Sequence, residues 1–214
     1  MSIICPTILA ENTHDFRDQM DRVTSFATRV QIDLTDGIFT SKKNIPLSQI
    51  WIPENIETDI HLMYDDPESY IEAIQNIQPS MVIVHAESLV DVPLFASQMR
   101  EKNIKTGIAI LPETKVEDVA YLFPHVQHVL LFAGSIGSFG GHANLDVLEK
   151  VAQIRSLDKR IEIGWDGGAS EENCKQLSEA GVQVINVGGA IQKAQDPEGA
   201  YATMKALVTS TIHA

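Results

Sequence analysis

A chain of 214 residues with 44% hydrophobic side chains can bury one sizeable core, and its composition argues against disorder. A formal net charge of -13 argues against a nucleic-acid or anionic membrane surface, both of which need clustered Lys and Arg. Cys5 and Cys174 are distant and lack Cys-x-x-Cys spacing, which excludes a disulfide framework or zinc ribbon; with no basic leader and no run near ~18 apolar residues, a soluble cytoplasmic protein is expected.

Residues 3–9 form the first predicted strand, with Cys5 in its apolar run. Phe16, Met20, Val23 and Phe26 then recur near the 3.6-residue period of a helix. Residues 29–34 and 56–63 are the second and third predicted strands. Asp66-Pro67-Glu68 supplies a cap, a proline for the first turn and an acid, opening a helix with Tyr70, Ile71, Ile74 and Ile77 on its apolar face. Strands follow at 81–85 and 106–111, and Thr114-Lys115-Val116-Glu117 matches a capping box. The sixth strand is 126–132, followed by a helix marked by Leu145, Leu148, Val151, Ile154 and Leu157. The seventh is 160–165, with Ser170 as cap and Gly181 as terminus of the next helix. Residues 183–187 are the eighth, and Asp196-Pro197-Glu198 opens the last helix. The one long loop, 39–55, carries Lys42-Lys43 and Ile50-Trp51-Ile52; a loop of that length serves either function or a contact between copies.

Strands alternating with helices imply a parallel sheet covered by helices. About eight units point to an α/β fold closed into a single-domain (β/α)8 TIM barrel over residues 1–214, whose strand tips meet at one end. Those tips carry the chemistry. Gly140-Gly141, Gly167-Gly168 and Gly188-Gly189 follow the sixth, seventh and eighth strands. Amides without side chains approach a phosphate closely, and barrels place phosphate at the last two loops, although glycine pairs also serve plain turns. Lys and Arg are scarce there, so backbone amides are expected to do the binding.

Asp33 ends the second strand and Asp166 the seventh, facing each other across the mouth of a closed barrel. Two carboxylates on opposite faces of a flat intermediate can remove a proton from one side and return one from the other. His61 sits in Asp59-Ile60-His61-Leu62-Met63, where a hydrogen-bonded core histidine is the commoner use. Beside two acidic tips it also fits a His/Asp/Asp metal site that would steady an oxyanion. His85, Glu87, Met63 and Phe139 are expected around the pocket or in the core.

Taken together, the tips resemble the ribulose-phosphate 3-epimerase family over nearly the whole chain, from Pro6-Thr7-Ile8-Leu9 to Gly188-Gly189-Ala190-Ile191. The likeness is strongest at Gln31-Ile32-Asp33-Leu34-Thr35-Asp36-Gly37, Asp59-Ile60-His61-Leu62-Met63, Val84-His85-Ala86-Glu87, Phe139-Gly140-Gly141 and Trp165-Asp166-Gly167-Gly168. It implies a barrel of the ribulose-phosphate-binding type that inverts C3 of a ketopentose 5-phosphate through an enediolate. By this resemblance Asp33 and Asp166 would be the acid/base pair and also metal ligands. His61 would be a further ligand, Met63 would lie against the intermediate, and the loop glycines would hold the phosphate. Thr7 stands where the family usually has a serine near the substrate. The implied cofactor is a divalent zinc, iron, manganese or cobalt ion.

The chain departs from the family at several of these positions. Gln31 stands where the family has a metal-ligating histidine, and an amide oxygen is a poorer ligand for zinc-like ions. Thr35 replaces a methionine, Ala10 a second serine and Ile38 the histidine after Asp-Gly. The loop 132–141 is one residue longer than usual and lacks Asn-Pro-Gly. Two other readings therefore stay open. One is a hexulose-phosphate synthase or orotidylate-type decarboxylase, which resembles Asp-x-Lys-x-x-Asp; Asp33-Leu34-Thr35-Asp36 lacks that lysine. The other is a sugar-phosphate sensor retaining only the cup. The expected partners are a small phosphorylated sugar and further copies of the chain.

Overall fold

The computed structural model describes residues 2–134 and 141–209. Eight parallel strands run β1 (Ile3–Ile8), β2 (Arg29–Thr35), β3 (Glu57–Met63), β4 (Met81–His85), β5 (Lys105–Ile110), β6 (His128–Phe132), β7 (Glu162–Asp166) and β8 (Val184–Val187). Each pairs with the next, and β8 pairs back to β1, which closes the barrel.

Residue parity sorts each strand onto two surfaces. On one surface Ile4, Ile8, Ile32, Leu34, Ile60, Leu62, Ile163, Trp165, Ile185 and Val187 join the main apolar shell beneath the helices. The alternate positions point into the lumen. There only Met81, Ile83, Ala109 and Leu130 form an apolar cluster. The rest of the lumen is polar, because Arg29, Gln31, Asp33, Asp59, His61, His85, His128 and Asn186 are all buried. At one end Arg29 Nε donates to Asp59 Oδ2 at 2.7 Å, and its two terminal nitrogens donate to Glu162 at 3.1 and 3.0 Å. His128 Nδ1 lies 2.8 Å from Glu162 Oε2. A Cβ on Gly164 would collide with His128 Nε2, so the bare backbone there makes room for that ring. The opposite end holds Asp33, Asp166 and the glycine loops.

The helices are α1 (Thr13–Asp21), α2 (Ile71–Ile77), α3 (Val92–Arg100), α4 (Val116–Val119), α5 (Glu149–Leu157), α6 (Cys174–Glu179), α7 (Gly189–Gln192) and α8 (Pro197–Thr209). The apolar pattern did not flag α3, although Phe95, Ala96 and Met99 are buried at helical spacing and Asp91 accepts from Leu94 N at 3.0 Å as its cap. The capping box at Thr114 does not form. Thr114 gives its hydroxyl to Glu87, and α4 starts after Lys115 with no side-chain cap. Asp66 instead accepts from Ser69 N and Oγ, holding a single 3-10 turn at Glu68–Tyr70 ahead of α2.

The long loop after β2 is pinned rather than loose. Asn44 accepts from Thr35 N at 2.8 Å and donates to the Asp33 carbonyl at 2.6 Å. Ile45, Leu47 and Ile50 are buried, and Trp51 meets Phe16 edge-on at 5.9 Å.

Candidate active site

Register places the predicted groups at one level of the lumen. Asp33 and His61 are partners between β2 and β3, and Asp166 and Asn186 are partners between β7 and β8. Barrel closure then brings β2 and β7 within reach of each other. Gln31 Nε2 donates to Asp33 Oδ1 at 2.9 Å and to Asp166 Oδ2 at 2.7 Å, so one amide bridges both carboxylates. His61 Nδ1 lies 3.2 Å from Asp33 Oδ1 and 3.4 Å from Asp166 Oδ2.

Two adjacent anions in a dry site repel, and the titration behaviour follows from that. Burial, and then the charge of Asp166, lift Asp33 from 3.8 to about 6 against the pull of His61 and Gln31. Burial opposes charge on His61, but its hydrogen bonds to Asp166 and Asp33 outweigh it and carry the ring up to about 9. Burial, reinforced by the charge of His61, holds His85 down at about 4 despite Glu87. Rings so charged assign the protons between them. His61 Nε2–H donates to neutral His85 Nε2 at 2.9 Å, and His85 Nδ1–H points to Glu87 Oε2 at 3.4 Å. The Glu87 carboxylate is anchored in turn by Leu111 N at 2.9 Å and by the Thr114 hydroxyl. His85 and Glu87 thus stand behind His61, outside the pocket lining.

Above this floor opens a pocket of about 290 Å³. Thr7, Asp33, Met63 and Asp166 line its base, and Gly141, Gly167, Gly168, Gly188 and Gly189 line its rim. Gly140 and Phe139 lie outside the described residues. Gly167 has φ +120° and Gly168 φ +66°. A Cβ on Gly167 would collide with Gly134 N, and one on Gly168 with Ala143 N. The loops after β6 and β7 therefore touch backbone to backbone, which only glycine permits.

Two lining residues escaped the sequence reading. Lys193 stands beside the Gly188-Gly189 rim, so the cup does not rely on amides alone. Asn186 is the one polar side chain in Val184–Val187, at an inward position; a lone polar residue in a β-branched strand was the available signal. Asp36, in contrast, does not face the pocket chemistry. It accepts from the amides of Ile38, Phe39 and Asp65 and so shapes the loop.

Among the described residues Asp33, His61 and Asp166 are the group able to hold a cation, with their donor atoms within 4.8 Å of one another. Gln31 Oε1 is buried and meets no partner among the described residues. A half-turn of that amide exchanges its nitrogen for this oxygen and adds a fourth donor facing the same point. Three oxygens and one imidazole nitrogen suit a divalent transition ion, so the residues fit the metal that the family resemblance implied.

Comparison with known proteins agrees with this architecture. The ribulose-phosphate 3-epimerase of Mycobacterium leprae is 29% identical over 95% of this chain and 93% of its own length. That of Bacillus subtilis is 25% identical over 94% of this chain and 97% of its own. Among solved structures, KGPDC from Streptococcus mutans, in complex with D-ribose 5-phosphate, superposes with a TM-score of 0.79 at 10% identity, covering 99% of both chains. A 3-hexulose-6-phosphate synthase from Salmonella typhimurium gives 0.73 at 15% identity, covering 98% of this chain and 99% of its own. At those identities the two structures speak for the fold alone. The sequence match is what separates this barrel from its look-alikes: residues 3–192 fit the ribulose-phosphate 3 epimerase family, a family of carbohydrate isomerases, and the chain belongs to it.

Proposed function

We propose that the protein inverts C3 of a ketose phosphate of the ribulose 5-phosphate/xylulose 5-phosphate type. The observation that carries this reading is the convergence of Asp33 and Asp166, from β2 and β7, on one amide and one imidazole. The glycine rim with Lys193 holds the phosphate, which fixes the sugar chain above the two carboxylates. One aspartate, ionised, takes the C3 proton, and the electron pair moves into an enediolate whose negative charge rests on the former carbonyl oxygen. The other aspartate, entering protonated, delivers its proton to the opposite face and re-forms the ketone. A pair of this kind needs one member ionised and one protonated, and the rise of Asp33 to about 6 moves the pair toward that state.

Asp33, His61, Asp166 and the Gln31 amide oxygen would hold the divalent ion, whose chemistry when bound is to neutralise developing negative charge on oxygen. His61 also brings its own positive charge to the enediolate side of the pocket. A lyase of the Asp-x-Lys-x-x-Asp kind is disfavoured, because Asp36 is spent on three backbone amides and no lysine lies between it and Asp33.

The test is to incubate the protein with ribulose 5-phosphate and follow xylulose 5-phosphate by NMR. The wild-type protein should reach an equilibrium mixture, and Asp166→Asn should produce none. A wild-type protein that binds the sugar phosphate without converting it would support the sensor reading instead.

A further inference from the structure

Asn186 is 2% exposed and lines the pocket, yet neither its Oδ1 nor its Nδ2 meets a partner among the described residues. Thr7, also 2% exposed and also lining the pocket, has an unpartnered Oγ1. Buried polar atoms left unpaired are costly, and an asparagine between Ile185 and Val187 is a poor choice for a strand on packing grounds alone. Such a cost persists where a ligand removes it.

Position says which part of a ligand. Asn186 is the register partner of Asp166, one strand spacing of about 4.8 Å away. It also precedes Gly188 by two residues on the same face of β8, about 6.6 Å further along toward the rim. A sugar chain running from the carbon between the aspartates to a phosphate at the glycine rim passes Asn186 at the carbon between those two points. An amide offers a donor and an acceptor side by side, which matches a hydroxyl, a group that both gives and takes a hydrogen bond.

We propose that Asn186, with Thr7 beside it, is the specificity-determining residue that reads the hydroxyl on the carbon between the inverted centre and the phosphoester, C4 of a ketopentose 5-phosphate. The proposal rests on the epimerase reading for its choice of substrate. It makes the protein selective for chains carrying a hydroxyl at C4, and it places the selectivity on β8 rather than on the phosphate cup.

The experiment compares ribulose 5-phosphate with its 4-deoxy analogue in the wild-type protein, Asn186→Val and Asn186→Ser. In the wild type kcat/KM should favour the hydroxylated sugar by about 10- to 100-fold, the range of a lost hydrogen bond to a buried partner. In both variants that ratio should fall to within about threefold of unity, through loss on ribulose 5-phosphate rather than gain on the analogue, while inhibition by inorganic phosphate stays unchanged. A wild type that does not distinguish the two sugars, or a folded variant that keeps the full preference, overturns the proposal. If the wild type turns over neither sugar, the epimerase reading has failed separately. The same ratio is then read from dissociation constants by calorimetry, with the same two results supporting or overturning the role of Asn186.

Discussion

The side chain that couples the two halves of the site is Gln31, since Asp33 and Asp166 share its amide. Replacing it with leucine, of similar length, leaves two buried carboxylates facing each other with only His61 between them. Gln31→Leu should lower kcat/KM for ribulose 5-phosphate by about 10²-fold or more, by analogy with the loss of an aligning polar group in other sites, with a circular dichroism spectrum like that of the wild type. Gln31→Glu adds a third anion and should do worse; activity at the wild-type level in either variant would remove the bridging role. Residue by residue, the site was legible where chemistry sits at a strand tip. Asp33, His61 and Asp166 could be picked out because acidic and imidazole groups are rare at the ends of apolar strands. Gln31 was legible as a departure but not as a bridge, because which end of an amide faces a carboxylate is decided by neighbours remote in sequence. Asn186 was passed over for a related reason: one polar letter in a strand does not reveal whether a partner meets it.

At the scale of elements, the loops after β6 and β7 interlock through backbone contacts at Gly167 and Gly168. A methyl at Gly168 must displace the Ala143 backbone and also occupy a positive φ of +66°. Gly168→Ala should therefore weaken inhibition by inorganic phosphate by about tenfold and raise KM more than it lowers kcat, since binding rather than proton transfer is disturbed. Steady-state kinetics with phosphate as competitor checks it. In the shell between β8 and the helices, Ile185 is fully buried, and Ile185→Ala should cost about 2–5 kcal/mol in denaturant unfolding, the range for emptying a core site of this size. Strands were legible to within two residues at their ends because their β-branched runs are bounded by polar tips. α3 was not, because Pro93 and the polar stretch before it interrupt the start of a pattern that Phe95, Ala96 and Met99 do carry. The capping box failed because Thr114 lies within reach of Glu87, 27 residues earlier, a contact that only the closed barrel creates.

The whole barrel separates two charged layers within one lumen. Asp33, His61 and Asp166 face the pocket, while Arg29, Asp59, His128 and Glu162 tie four strands together at the other end. Burial works against Glu162, but hydrogen bonds from His128 and Arg29 outweigh it and hold its carboxyl at about 2, down from 4.5. A depressed folded value means that the stabilisation is fully present above about pH 4.5 and is lost as pH falls toward 2. Glu162→Gln should thus be less stable than the wild type at pH 7, with the gap in urea midpoint closing between pH 4.5 and 2, the window set by those two values; a gap independent of pH would contradict the assignment. Alternating strands and helices made the closed architecture readable, but the polar filling at the far end was hidden, because it joins β2, β3, β6 and β7 across distances the sequence does not display. What the whole fold achieves is to set two aspartates from β2 and β7 around one carbon atom, and proton exchange measures that directly. In deuterium oxide the wild-type protein should place one deuterium at C3 of each inverted product molecule, and Asp33→Asn and Asp166→Asn should each abolish inversion. Inversion at the wild-type rate in either variant would contradict the two-aspartate site.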